Sequence, residues 1–303
     1  MAGYALVPAS LAVGSSSVAT LLALTAGTSL CSSSANAMNQ FLEAPYDAQM
    51  QRTRARPLPA RQVSHMHAFA FSIATGVGGT ALLATAVNPL TAALGAANIV
   101  LYAGIYTPLK RLSMVNTWVG AVVGAIPPLM GWVASTGTLF EASDAPAWIL
   151  SAILFAWQFP HFNSLAHVVR ADYAKGGYRM MSVLRPALNR RTGLRYAAAL
   201  FPLCAALPFC GSTTVLPVYA LLSAVPNAAL FHAAWRFYKD QGHASDASAS
   251  ARKCFFVSLW HLPAVMLLAM ACKQDIWDGF KRYVIGGEAG SEDEGDENCK
   301  MQS

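Results

Sequence analysis

Hydrophobic and polar residues are not finely interleaved in this chain. They form long apolar runs separated by short polar segments. Lys, Arg, Asp and Glu are absent from 1–42, 62–109, 112–140, 145–169, 196–235 and 254–272. A hydrocarbon core takes about 20 apolar residues per helical crossing, so uncharged runs of this length predict membrane helices. Divided at their Gly, Pro and Asn residues, the runs give eight crossings near 16–42, 65–87, 90–108, 115–136, 146–168, 194–210, 214–235 and 254–272. Residues 1–13 are too short to cross and read as the remnant of one more helix. The pattern predicts an all-α integral membrane protein.

Composition agrees. The 303 residues are 55% hydrophobic and 12% charged, against about a quarter charged in soluble domains. The net charge of +6 sits in short loops and forms no stripe or basic amphipathic helix, which excludes nucleic acid as a partner. Instead the charge orients the chain. Loops at 52–61, 110–111, 170–195 and 236–253 hold 17 of the 21 basic residues, whereas those near 88–89, 137–145 and 209–214 hold only Glu141 and Asp144. The positive-inside bias places the basic loops in cytosol or matrix. No transit or secretory signal is read at the N-terminus. The six cysteines show no metal spacing and read as buried thiols. The acidic segment around 288–298 reads as disordered.

Acidic groups at the ends of membrane helices are costly, which draws attention to Glu43, Asp47 and Asp172. Asn39, Glu43 and Asp47 are spaced four apart. At 100° per residue they drift only about 80°, so one helix face carries all three oxygens. Such a ladder suits Mg²⁺, which takes a few carboxylates together with waters and phosphate oxygens. Pro45 lies within it and predicts a kink or an end to the helix there. Arg52, Arg54, Arg56 and Arg61 follow at once, and they are donors of the kind a diphosphate needs; the plainer alternative is that they only enforce topology. A second cluster at 157–183 holds His161, Asn163, His167, Arg170, Asp172, Lys175 and Arg179, and 106–111 adds Lys110 and Arg111. Oxygen ligands beside cations at one membrane face point to a diphosphate-bearing lipid.

Four blocks in order resemble the UbiA-type intramembrane prenyltransferases, and their haem-prenylating mitochondrial branch in particular. SANAMNQFLEAPYDAQMQRTRARPLP resembles the first acidic motif of the family, and YTPLKRLSMVNTWVGAVVGAIPPLMGW its next block. FAWQFPHFNSLAHVVRADYAKGGYRMMSV resembles its second acidic motif, and SLWHLP the mitochondrial members. The resemblance implies a bundle of nine transmembrane helices, about eight of them complete here, with 1–13 the remnant of the first, 14–285 the prenyltransferase domain and 286–303 an acidic disordered tail. It further implies transfer of the farnesyl group of farnesyl diphosphate to a vinyl group of haem b, with Mg²⁺ as cofactor. Asn39, Glu43, Asp47 and Asp172 would be catalytic metal ligands. Arg52, Arg56, Lys110 and Arg170 would bind diphosphate, Arg111, Lys175 and Arg179 would take diphosphate or haem propionates, and His161 and His261 are the candidate haem ligands. The implied setting is the mitochondrial inner membrane with basic loops toward the matrix, and the implied partners are a haem A synthase or cytochrome oxidase assembly factors.

Two other classes of function compete. A transporter predicts polar residues at mid-membrane and related halves, whereas these acidic groups lie at helix ends. A haem-binding subunit without catalysis needs paired axial histidines but no Asn39 ladder. Within the enzyme class, a quinone precursor is the competing acceptor, although Asp172-Tyr173 in place of several aspartates favours haem.

Overall fold

The computed structural model describes residues 2–12, 18–211, 213–240, 244–275 and 277–278. The acidic tail expected at 286–303 lies outside them. Eight long helices dominate: α1 Val18–Asp47, α2 His65–Ala86, α3 Pro89–Leu112, α4 Asn116–Thr136, α5 Ala145–Val168, α6 Pro186–Ala206, α7 Val218–Lys239 and α8 Ala244–Ala271. Among the described residues there is no strand, only an isolated bridge between Val215 and Lys273. Seven of the helices are long and apolar enough to cross a membrane. The eighth, α5, has no charged residue, but Gln158, His161, Asn163 and His167 reduce its apolarity. It can carry them because half of its 24 residues are buried against α4, α6 and α8.

Every predicted crossing coincides with a helix, and the differences lie at the ends. Pro45 does not end α1, which runs two residues further and keeps Asp47 on the same buried face as Asn39 and Glu43. At 30 residues it is about 45 Å long, more than the hydrocarbon needs, so its last turns reach the polar boundary. α6 starts at Pro186, well before the predicted 194, because Arg190, Arg191 and Arg195 fit a helix end whose long side chains extend to the interface. α3 opens with Asn88 accepting from the Thr91 amide at 2.8 Å, an N-cap bond. It then widens into a π segment over Val100–Tyr106, a feature frequent at functional sites.

Neighbouring helices pack in chain order, α1 on α2 through to α7 on α8, and α8 returns to α5. Small residues bring α1 and α2 together: a methyl group on Gly79 would stand 2.9 Å from the Cys31 amide nitrogen, a close approach typical of membrane helix pairs. Outward faces carry Val77, Leu221, Val225, Trp260 and Leu267, all largely exposed, as a lipid-facing surface requires. The chain's start forms a short helix, Ala2–Ala5, against α4. Lys273, just past α8, donates to the carbonyls of Ala5 at 3.1 Å and Val7 at 2.8 Å and pairs with Asp275 at 3.2 Å. Replacing it with methionine leaves two carbonyls without their charged donor. Lys273→Met is expected to cost about 2 kcal/mol, read as a lower apparent melting temperature in detergent with unchanged helical content.

Candidate active site

The α1 ladder meets the end of α3. Asn39 Nδ2 donates to Glu43 Oε2 and to Thr107 Oγ1, both at 2.9 Å. Thr107 in turn donates to the Tyr102 carbonyl at 2.9 Å, a bond across the π segment that fixes the hydroxyl toward α1. Lys110, one turn on, hydrogen-bonds Glu43 Oε2 at 3.1 Å and forms an ion-pair contact with Oε1 at 3.0 Å, and its ammonium lies over the Tyr106 ring, 4.7 Å from the centroid. Both partners are buried, Glu43 at 5% exposure, so each charge depends on the other.

One turn further along α1, Asp47 is 1% exposed. Its Oδ2 holds Arg56 at 2.7 Å, while its Oδ1 is buried without any protein donor. Across the site, Asp172 stands in the first turn of the short helix Arg170–Lys175 and accepts from the Arg52 amide at 3.3 Å. The Arg52 guanidinium lies over the Tyr173 ring at 5.8 Å. Both acidic motifs therefore share one end of the bundle with the four expected diphosphate cations, Arg52, Arg56 and Lys110 in contact with the acidic groups or Tyr173 and Arg170 on the short helix of Asp172. Arg170 and Lys175 are exposed on the short helix, and Arg179 is exposed too, although its amide bonds the Lys110 carbonyl at 2.7 Å. Arg111 stacks on Tyr46 and donates to its hydroxyl.

Tyrosines complete the wall; the sequence pointed to Tyr173 only as a marker of the acceptor and assigned none of them a place in the site. Tyr46, Tyr173 and Tyr178 cluster with Met50 and Met180 over the polar groups. Burial is the main cause that pushes the Tyr173 and Tyr178 phenols above the ordinary tyrosine range, and the Glu43 and Asp47 carboxylates add to it. Both therefore remain neutral donors. Neutral side chains carry no charge signal, which is why Thr107, quoted within its motif, and these tyrosines went unassigned.

Below the charged cluster lies a cavity of about 310 Å³ lined by Tyr106, Gly120, Trp157, Phe159, His161 and Phe162 among others. Of the two histidines expected at haem, only His161 reaches it. Its Nδ1 is 2.9 Å from Ser258 Oγ, whose own proton goes to the Phe255 carbonyl. The imidazole must then donate from Nδ1, which leaves Nε2 as a lone pair. His261 is buried elsewhere, with Nε2 held by Asn227 at 2.8 Å, and it lines none of this cavity.

Among the described residues no three His, Cys, Asp or Glu side chains converge. An all-oxygen Mg²⁺ site needs only one or two carboxylates per ion, since waters and phosphate fill the rest. The unengaged Asp47 Oδ1 and the carboxylates of Glu43 and Asp172 fit that donor set.

Comparison with known proteins accords with this architecture. The chain is 48% identical over 290 residues to human mitochondrial protoheme IX farnesyltransferase, covering 95% of this chain and 60% of that protein. It is 47% identical over 287 residues to the protein of the same name from Yarrowia lipolytica, covering 92% and 59%. The chain thus spans about 60% of the length of these relatives. The fold is similar to that of a digeranylgeranylglyceryl phosphate synthase (TM-score 0.70, 14% identity, 89% of this chain and 90% of that one). It is also similar to a UbiA homologue from Aeropyrum pernix (TM-score 0.67, 19% identity, 88% and 95%). The UbiA prenyltransferase family model matches residues 2–260, and the chain belongs to that family.

Proposed function

We propose that the protein transfers the farnesyl group of farnesyl diphosphate to a vinyl group of haem b, giving haem O, within the mitochondrial inner membrane and with its basic loops toward the matrix. One observation carries this reading: a cluster of carboxylates and cations adjoins an aromatic cavity through Tyr106, whose ring lies under the Lys110 ammonium and lines that cavity. A diphosphate head and an isoprenoid tail require those two surfaces in contact. The haem assignment rests on the names of the relatives.

Asn39, Glu43, Asp47 and Asp172 would hold Mg²⁺, which supplies Lewis-acid neutralisation of the leaving diphosphate. Arg52, Arg56, Lys110 and Arg170 bind the diphosphate oxygens. Glu43 and Asp47 pre-orient Lys110 and Arg56, so little reorganisation is needed as charge develops on the leaving group. Tyr173 and Tyr178 donate as neutral phenols. The allylic C–O bond breaks and its electron pair leaves with diphosphate. The vinyl π pair then forms the new C–C bond, and water captures the cation beside the pyrrole ring and releases a proton. His161, whose Nε2 is left as a lone pair, would be available to the iron of the acceptor haem, while Arg111, Lys175 and Arg179 would take diphosphate or propionate. His261, engaged with Asn227, serves packing.

Acceptor competition tests the assignment. With farnesyl diphosphate, Mg²⁺ and equimolar haem b and 4-hydroxybenzoate, prenylated porphyrin is expected as the product. Prenylated 4-hydroxybenzoate with unaltered haem would replace the acceptor and keep the family chemistry.

A further inference from the structure

The aromatic cavity continues past Tyr102 and Gly124, which line both spaces, into a second chamber of about 230 Å³ between α1, α3 and α4. Its lining sets unpaired or loosely paired polar groups among Cys31, Ile99, Val123 and Met130. Thr28, Ser32, Asn36, Asn98 and Tyr102 bring hydroxyls and amides to a depth where the helices around them are apolar. Polar groups inside a bilayer are costly and mark function. Asn98 Oδ1 is buried and accepts from no protein group. Asn36 Nδ2 reaches Ser32 Oγ, and the Tyr102 hydroxyl reaches Asn36 Oδ1, each at a long 3.4 Å, contacts that water readily replaces.

We infer that this chamber holds the water that captures the carbocation, with Asn36, Asn98 and Tyr102 as its positioning residues. The inference rests on the proposed prenyl transfer. An ordered water needs two to four polar partners and occupies about 30 Å³ in the liquid, so the chamber admits a few. An isoprenoid tail gains nothing from an unpaired amide oxygen; in the adjoining space the Gln158 amide already donates to the Ala121 and Leu154 carbonyls, and the rings of Trp157, Phe159 and Phe162 suit the tail. Placement agrees as well. Asn36 lies three residues before Asn39 on α1, about 4.5 Å along the helix, and the Tyr102 carbonyl accepts from Thr107, itself bonded to Asn39. The chamber therefore opens beside the point where C–O cleavage occurs.

The step balances in two ways. With water in place, its oxygen bonds to the cationic carbon, and its proton passes to the departing diphosphate. Without it, the carbon next to the cation loses a proton to diphosphate instead, and the product is an alkene lighter by one water.

The test compares purified full-length protein with Asn98→Leu and with Tyr102→Phe, which deletes one hydroxyl at constant shape. Each is supplied with haem b, farnesyl diphosphate and Mg²⁺, and the products are separated by mass. The expected result is at least a tenfold rise in the ratio of dehydrated to hydroxylated prenyl-haem in either variant. An unchanged ratio in Tyr102→Phe overturns the inference, whatever the total yield, because a merely structural role lowers both products together. Unprenylated haem from the unmodified protein instead overturns the proposed reaction, and the inference with it.

Discussion

Asp47→Asn and Asp172→Asn are each expected to lower prenyl transfer by about 10²–10³-fold, the scale seen when one preorganised stabiliser of a developing negative charge is removed. Both changes preserve shape. At Asp47 the amide can still accept from Arg56, but the free Oδ1 that would face the metal loses its charge. At Asp172 the bond from the Arg52 amide survives, so the chain between the motifs stays in place. Asp144 provides the control. It is also 1% exposed, yet its oxygens are taken by Trp132 Nε1 at 2.8 Å, Thr138 Oγ1 at 3.0 Å and the Glu141 amide at 3.0 Å. Asp144→Asn is therefore expected to lower stability and to leave turnover per folded molecule unchanged. Equal losses of turnover in all three variants would show a general response to carboxylate removal, and the site assignment would then fail.

The second large effect concerns Glu43 and Lys110. Lys110→Met leaves a carboxylate at 5% exposure with Asn39 as its remaining donor. Breaking one side of a buried pair costs about 3–5 kcal/mol. Glu43→Gln/Lys110→Met removes both charges and is expected to recover most of that stability, because an unpaired buried ion no longer remains. Activity should not follow stability: Glu43→Gln, Lys110→Met and the double variant each lack a metal carboxylate or a diphosphate cation, so each stays inactive. A double-mutant cycle on melting temperature and turnover separates the two readouts. If turnover recovers together with stability, the pair only supports the fold.

Much of this architecture was legible because a bilayer imposes a coarse rule. Charge-free runs of about 20 residues mark helices, and each predicted crossing has its helix. Period four in Asn39, Glu43 and Asp47 likewise fixed their shared face. Pro45 placed the helix end two residues early, since a proline near a helix end loses only one backbone bond while burial of Ala44 and Asp47 holds the last turn. What long-range packing decides stayed hidden. Nothing local to His161 or His261 shows that Ser258 fixes the first at the cavity and Asn227 holds the second away. The π segment is also invisible in sequence, although it sets Tyr102 and Tyr106 on the cavity wall and Thr107 against Asn39.

The most direct measurement incubates the purified protein with haem b, farnesyl diphosphate and Mg²⁺ and determines the mass of the porphyrin product, with a parallel sample in EDTA. A porphyrin heavier by one farnesyl group and one hydroxyl, formed with Mg²⁺ and missing with EDTA, is the predicted result. Haem recovered unaltered from protein that binds it tightly contradicts the account and would make the molecule a haem-binding membrane protein without this chemistry.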